Sequence, residues 1–216
     1  MNIILSYPRS GNHLTRFFIE LLYEQPTFGC SCNTHDIPIY KNKFINNIPF
    51  NINENNINKD ICYYKYHDSP YIDCKNLIFI LRNPREVLLR HNNYEMKYDN
   101  FDIYFKCLDY YLNFNGNKIL FFYEDIVLNK IDFVNKLYNF LECSNNIKLE
   151  WVINNIDYLY NESKNGKKRS WGGVVSNSIN YYYPKINNQH IKNKFDKYLS
   201  EKLSNPNYSF IVDKYQ

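Results

Sequence analysis

No stretch of the 216-residue chain approaches the roughly eighteen consecutive apolar residues of a membrane-spanning helix, so the sequence reads as globular. It also lacks the apolar core of an export signal, because the first apolar residues, Ile3 to Leu5, stop at once at a polar turn. A cytoplasmic location is therefore expected, and the six cysteines (Cys30, Cys32, Cys62, Cys74, Cys107 and Cys143) are expected to be reduced thiols rather than a disulfide framework. A strong charge excess is missing too. A net charge of +4 with a pI near 8.6 favours an anionic ligand without demanding nucleic acid. There is no internal repeat, and there is no full set of metal ligands. "CSCNTH" offers only Cys30, Cys32 and His35 where a structural zinc site takes four ligands, so no metal is expected.

What is present is ample for one buried core, with 44% hydrophobic and 18% aromatic residues, and one domain spanning 1–216 is expected. Short apolar runs read as buried parallel strands over Ile3–Ser6, Ile61–Tyr66, Asn76–Leu81 and Lys118–Tyr123. Helical periodicity marks His13–Glu24, Arg85–Tyr94, Phe101–Leu112, Asp132–Leu141, Leu149–Tyr160 and His190–Leu203. Between Gln25 and Lys59 the low-complexity text "NKFINNIPFNINENNINK" has no clean period and predicts an irregular loop or lid over about 25–60. The alternation predicts an α/β fold: three layers, a central mostly parallel sheet flanked by helices, and a P-loop-like strand, loop and helix at the start. Ligands of such sheets gather beyond the carboxyl ends of the strands, which directs attention to the turns after Ser6, Tyr66, Leu81 and Phe122.

The first of these turns, "SYPRSGNHL", delivers backbone N–H groups to a helix start, a ready anion site, and Gly11 allows close approach. The lysine of a nucleoside-triphosphate loop is absent, since Asn12 and His13 follow Gly11, whereas Arg9 places a permanent cation in the turn. Arg82 emerges where "LIFIL" runs into "RNPREVLLR", just before Pro84 opens a helix, and makes a second anion position. Four residues apart on that helix, Glu86 and Arg90 read as a surface pair. "YYKYHD" puts Lys65 and the titratable His67 on the same sheet edge. "FFYEDI" adds Tyr123, Glu124 and Asp125, and "SKNGKKRSW" is a basic, glycine-bearing loop.

In order and spacing these stretches resemble the sulfotransferases that use 3'-phosphoadenosine 5'-phosphosulfate (PAPS), over most of the chain apart from Gln25–Lys59. "SYPRSGNHL" is similar to the family's "YPKSGTTW" loop for the 5'-phosphosulfate, with Arg9 at the lysine position. "RNPREVLLR" is similar to "RNxxDxxxS", which grips the 3'-phosphate. Lys65, Tyr66 and His67 resemble the "KTH" that supplies the catalytic histidine. Tyr123–Ile126 resemble "YEDL", whose tyrosine lies by the adenine, and Lys164 through Trp171 resemble "RKGxxGDW". The resemblance implies His67, Arg9 and Lys65 as catalytic residues. It implies Arg9, Ser10, Gly11, Asn12, His13, Arg82, Arg90, Tyr123, Lys164, Gly166 and Lys167 as nucleotide contacts, with PAPS as co-substrate and no metal.

Several departures fall on those contacts. Arg9 replaces a lysine, and Asn12 and His13 replace two threonines. Arg90 stands where the family has a serine on the 3'-phosphate, and either adds a cation there or turns outward to Glu86. Asn165 loses a family cation while Lys167, Lys168 and Arg169 add others. The implied reaction is in-line sulfuryl transfer to a hydroxyl acceptor with His67 as general base. The acceptor class, whether glycan, protein or small molecule, is left to the loops over Gln25–Lys59 and Tyr94–Phe101. Two other readings compete with it. A P-loop kinase-like phosphotransferase would use Asp125 but finds His13 where a magnesium-binding hydroxyl belongs. A non-catalytic nucleotide or polyanion binder would use Trp171, Tyr181–Tyr183 and the basic loop. No nucleic-acid partner and no oligomeric state are implied.

Overall fold

A computed structural model describes residues 1–23, 25, 27–28, 62–70, 73–93, 95–165 and 187–215. Five strands, β1 (Asn2–Leu5), β2 (Thr27–Phe28), β3 (Tyr63–Tyr66), β4 (Asn76–Leu81) and β5 (Asn117–Phe122), form one sheet in the order β2-β3-β1-β4-β5. Every pairing is parallel. The fold is thus α/β, with a sheet that is parallel throughout the described residues, where the short apolar runs predict a mostly parallel one.

Register is marked at the amino-terminal end of three strands. Asn2, Asn76 and Asn117 stand side by side across β1, β4 and β5, and their amides form a rung: Asn76 Nδ2 donates to Asn2 Oδ1 at 2.9 Å and Asn117 Nδ2 to Asn76 Oδ1 at 3.1 Å. A one-residue slip would break this rung and turn every core side chain to the wrong face. Alternate residues feed two separate cores. Ile4, Ile78, Ile80 and Phe121 face the layer containing α1 (Asn12–Tyr23), α5 (Lys130–Phe140), α6 (Asn146–Asn154) and α7 (Ile156–Asn165). Ile3, Leu5, Leu77, Phe79 and Leu81 face α2 (Pro84–His91), α3 (Tyr98–Asn113), α8 (Gln189–Leu203) and α9 (Ser209–Tyr215).

Several elements depart from the sequence reading, among them α9, which it did not mark. The helix expected over Leu149–Tyr160 is two helices, because Asn155 ends α6 by donating its backbone and side-chain N–H groups to Trp151 O, while its own carbonyl accepts from Leu159 N and opens α7. Tyr123 is not the last residue of a strand but the first of a short helix, α4 (Tyr123–Leu128). The stretch expected to be irregular from Gln25 holds β2, whose two residues are too few to show a period. Buried side chains of α1 fasten it: Arg16 donates to Thr27 Oγ1 at 2.7 Å and Thr27 N to Glu20 Oε1 at 3.0 Å. The rest of the expected lid over 25–60 lies outside the described residues, as does the Cys30, Cys32 and His35 cluster. Among the described residues, no helix is long and apolar enough to cross a membrane, and Cys62, Cys74, Cys107 and Cys143 are free thiols.

Candidate functional site

Parallel strands end on the same side of a sheet, so the residues after Leu5, Tyr66, Leu81 and Phe122 gather along one edge. Leu5 is opposite Tyr66 in register, and Leu81 is opposite Phe122. These are the four turns singled out from the sequence.

The loop from Ser6 to Asn12 closes on itself. Asn12 Nδ2, at the start of α1, donates to Ser6 Oγ at 2.6 Å, and Ser10 N donates to Tyr7 O at 3.3 Å. So tight a loop requires left-handed backbone at two positions, Arg9 (φ 72°) and Gly11 (φ 97°). At Arg9 that conformation costs roughly 1–2 kcal/mol for a residue with a side chain, and the surrounding contacts have to hold it. A side chain at Gly11 is excluded twice, by its φ and because a Cβ there would stand 2.5 Å from Tyr123 Cδ2. Tyr7 anchors the loop from below: it is buried, its hydroxyl accepts from Asn92 Nδ2 at 3.2 Å, and burial raises its pKa to about 12.

His67 follows β3 directly and is half-buried. Its Nδ1 lies 2.8 Å from Ser6 O, next to the rung in which Ser6 N donates to Tyr66 O at 3.1 Å. A carbonyl only accepts, so Nδ1 carries a proton, and in the neutral ring the acceptor nitrogen is Nε2. Lys65 pairs in register with Ile4 and so projects from the face that α1 covers. His13 is the second residue of α1.

Arg82 directly follows β4 and is 4% exposed. Asn83 then caps α2 by accepting from Arg85 N at 2.9 Å, with Pro84 at the first helical position, the local reason the strand turns into a helix here. The Arg82 guanidinium stacks on the Tyr123 ring, 4.2 Å from its centroid, and Nη1 donates to Arg9 O at 3.0 Å. Residues 73 apart in sequence thus meet at the Ser6–Asn12 loop. Burial raises the Tyr123 pKa, opposed by the charge of Arg82 and, less, by that of Arg90, so Arg90 on α2 bears on the same ring. Tyr123 itself is 2% exposed and packs between Arg82 and Gly11, which leaves no open ring surface at that residue for an adenine to stack on.

Lys164 belongs to the last turn of α7, which packs beside α1. Gly166 and Lys167 lie outside the described residues, as do Trp171 and Tyr181–Tyr183. Asp125, the carboxylate a kinase-like site would need, is held through both oxygens by Lys214 at 2.6 and 2.8 Å. The contacts of three supporting residues escaped the sequence reading. Tyr104 donates to Arg82 O at 2.9 Å, Asn92 holds Tyr7, and Glu124 accepts from both Asn83 N at 3.3 Å and Tyr215 OH at 2.7 Å. None carries a local pattern, because each acts on a residue far away in sequence.

No protein-family model matches the chain. No curated protein matches it either. Among solved structures it is similar to mouse sulfotransferase SULT7A1 complexed with PAP, with a TM-score of 0.61 and 15% identity over 99% of this chain and 87% of that one. The chain has the fold of the PAPS-dependent sulfotransferases. Retinol dehydratase in complex with androsterone and inactive cofactor PAP is also similar, with a TM-score of 0.57 and 11% identity over 94% of this chain and 80% of that one. Within this fold, the Ser6–Asn12 loop and the first turn of α1 carry several unsatisfied polar atoms. Ser10 Oγ, Asn12 Oδ1 and Thr15 Oγ1, together with Arg82 Nε, are buried without a hydrogen-bond partner. Buried polar atoms are normally paired, and the donors of this set, Ser10 Oγ, Thr15 Oγ1 and Arg82 Nε, fit an oxygen-rich anionic group, whereas Asn12 Oδ1 can only accept and needs a donor.

Proposed function

We propose that this protein is a sulfotransferase that moves a sulfuryl group from PAPS to a hydroxyl acceptor, with His67 as general base. The observation that carries the reading is the meeting of the Ser6–Asn12 loop, His67 and Arg82 at one sheet edge, joined by the Ser6–His67 and Arg9–Arg82 hydrogen bonds. In the proposed reaction the acceptor hydroxyl gives its proton to His67 Nε2 as its oxygen bonds to sulfur. The bond from sulfur to the bridging phosphate oxygen breaks, and adenosine 3',5'-bisphosphate leaves. A well-placed base of this kind contributes about 10²- to 10⁴-fold.

Arg9, with the backbone N–H groups of Gly11 to His13, stabilises charge growing on the leaving phosphate, a contribution of roughly 3 to 4 kcal/mol for each preorganised donor, while the Ser10 N–H is spent on Tyr7 O. Lys65 assists at the transferring group. Arg82, Arg90 and Lys164 bind the 3'-phosphate, with Gly166 and Lys167 continuing that loop. Tyr123 serves the nucleotide indirectly, by supporting Gly11 and Arg82. The engagement of Asp125 by Lys214 argues against the magnesium-dependent kinase reading.

Thermal shift tests this at once. Adenosine 3',5'-bisphosphate is expected to raise the unfolding temperature strongly, while ATP with magnesium and a single-stranded oligonucleotide are not. Stabilisation by ATP and magnesium alone would replace the reading with the kinase one.

A further inference from the structure

We infer that Arg82 is a positioning residue as well as a phosphate ligand: the guanidinium that receives the 3'-phosphate also holds the anion loop in its receptive shape through the Arg9 carbonyl. This rests on the proposed nucleotide site and deepens it, by coupling the two ends of the nucleotide through one side chain.

A guanidinium presents five N–H donors in a rigid plane, so fixing one edge fixes the others. Here the plane lies on Tyr123, Nη1 is spent on Arg9 O, and the buried Nε has no partner. Tyr104 pins the Arg82 backbone from behind through its carbonyl. Arg9 is the loop residue that must be held at φ 72°, and Gly11, two residues on, packs against the same Tyr123 ring on which Arg82 lies. An anionic group taken up at Nε therefore orients the whole plane, steadies Nη1 on the Arg9 carbonyl, and presents the Gly11–His13 donors to the second phosphate. A lysine at 82 would keep the positive charge but could not stack flat, bond the carbonyl and offer a further donor together.

The consequence is a coupling between ends of the ligand that no single contact provides. Arg82→Lys is expected to weaken 5'-AMP, which has no 3'-phosphate, about five- to tenfold by calorimetry, a size usual for coupling between sites. In the wild-type protein, saturating 3'-AMP is expected to slow amide hydrogen exchange over residues 9–13 several-fold, and in Arg82→Lys the same nucleotide is expected to bind without that protection.

If Arg82→Lys binds 5'-AMP as the wild type does, Arg82 is a 3'-phosphate ligand only and the inference is overturned. Should the variant not fold, exchange in the wild type decides: 3'-AMP bound with no slowing over 9–13 overturns the inference, and slowing upholds it. A wild-type protein that binds neither mononucleotide overturns the proposed function itself, and this inference with it.

Discussion

At the scale of single residues, the site depends on two backbone conformations and one tautomer. Gly11→Ala forces a Cβ to within 2.5 Å of the Tyr123 ring at a φ of 97°. The ring must move, and Arg82 moves with it. The expected outcome is a loss of about 1–3 kcal/mol in chemical denaturation and at least a tenfold weaker affinity for adenosine 3',5'-bisphosphate. His67→Ala removes the ring whose Nδ1 bonds Ser6 O. Nucleotide affinity is expected to stay within a few-fold of wild type by calorimetry, while the transfer rate falls about 10²- to 10⁴-fold; an unchanged rate would remove His67 from the base role. The sequence reading reached His67, Arg9, Gly11 and Arg82 because each stands beside a strand end or a helix start, where local text is informative. It did not reach the bond between Arg82 and Arg9 O, or the burial of Tyr123, since both depend on how strands far apart in sequence lie together.

At the scale of elements, the strands were the most legible part. "NLIFIL" is buried on both faces of the sheet, so its apolar run and its strand, Asn76–Leu81, coincide. Helix ends were less so: a single asparagine, Asn155, divides what reads as one period, and α4 is too short to show any. α4 matters to the site because Glu124 bridges α9 and the Asn83 cap of α2, accepting from Tyr215 OH and Asn83 N. Tyr215→Phe removes one of these donors and leaves Glu124, which is 7% exposed, short of a partner. A loss of about 1–3 kcal/mol in urea denaturation is expected, as for other unsatisfied buried acceptors. If stability is unchanged, α9 does not brace the site through Glu124.

At the scale of the whole molecule, two aromatic-rich cores enclose the sheet, and several of their tyrosine and cysteine groups are held protonated by burial. Folding raises Tyr7 from 10.0 to about 12 and Cys62 from 9.0 to about 12, and raises Tyr104 well above 10.0. Between the unfolded and folded values the native state binds more protons than the unfolded chain, so stability falls as pH rises. Each unit by which folding raises a pKa amounts to about 1.4 kcal/mol. The unfolding temperature is therefore expected to be insensitive to these groups below about pH 9 and to fall steeply toward pH 12, which a calorimetric pH series would check. A flat profile to pH 12 would mean that these groups ionise in place.

The same molecule-wide arrangement leads to the central claim, that a sulfotransferase-type sheet edge joins an arginine-bearing anion loop to a histidine base. The direct measurement is transfer of label from sulfur-labelled PAPS to a panel of phenols, sugars and tyrosine peptides, with His67→Ala and Arg9→Ala alongside. Labelled acceptor that appears with the wild-type protein and collapses with both variants is the expected result. Wild-type protein that binds PAPS yet labels no acceptor, or variants that label as fast as wild type, would contradict the account.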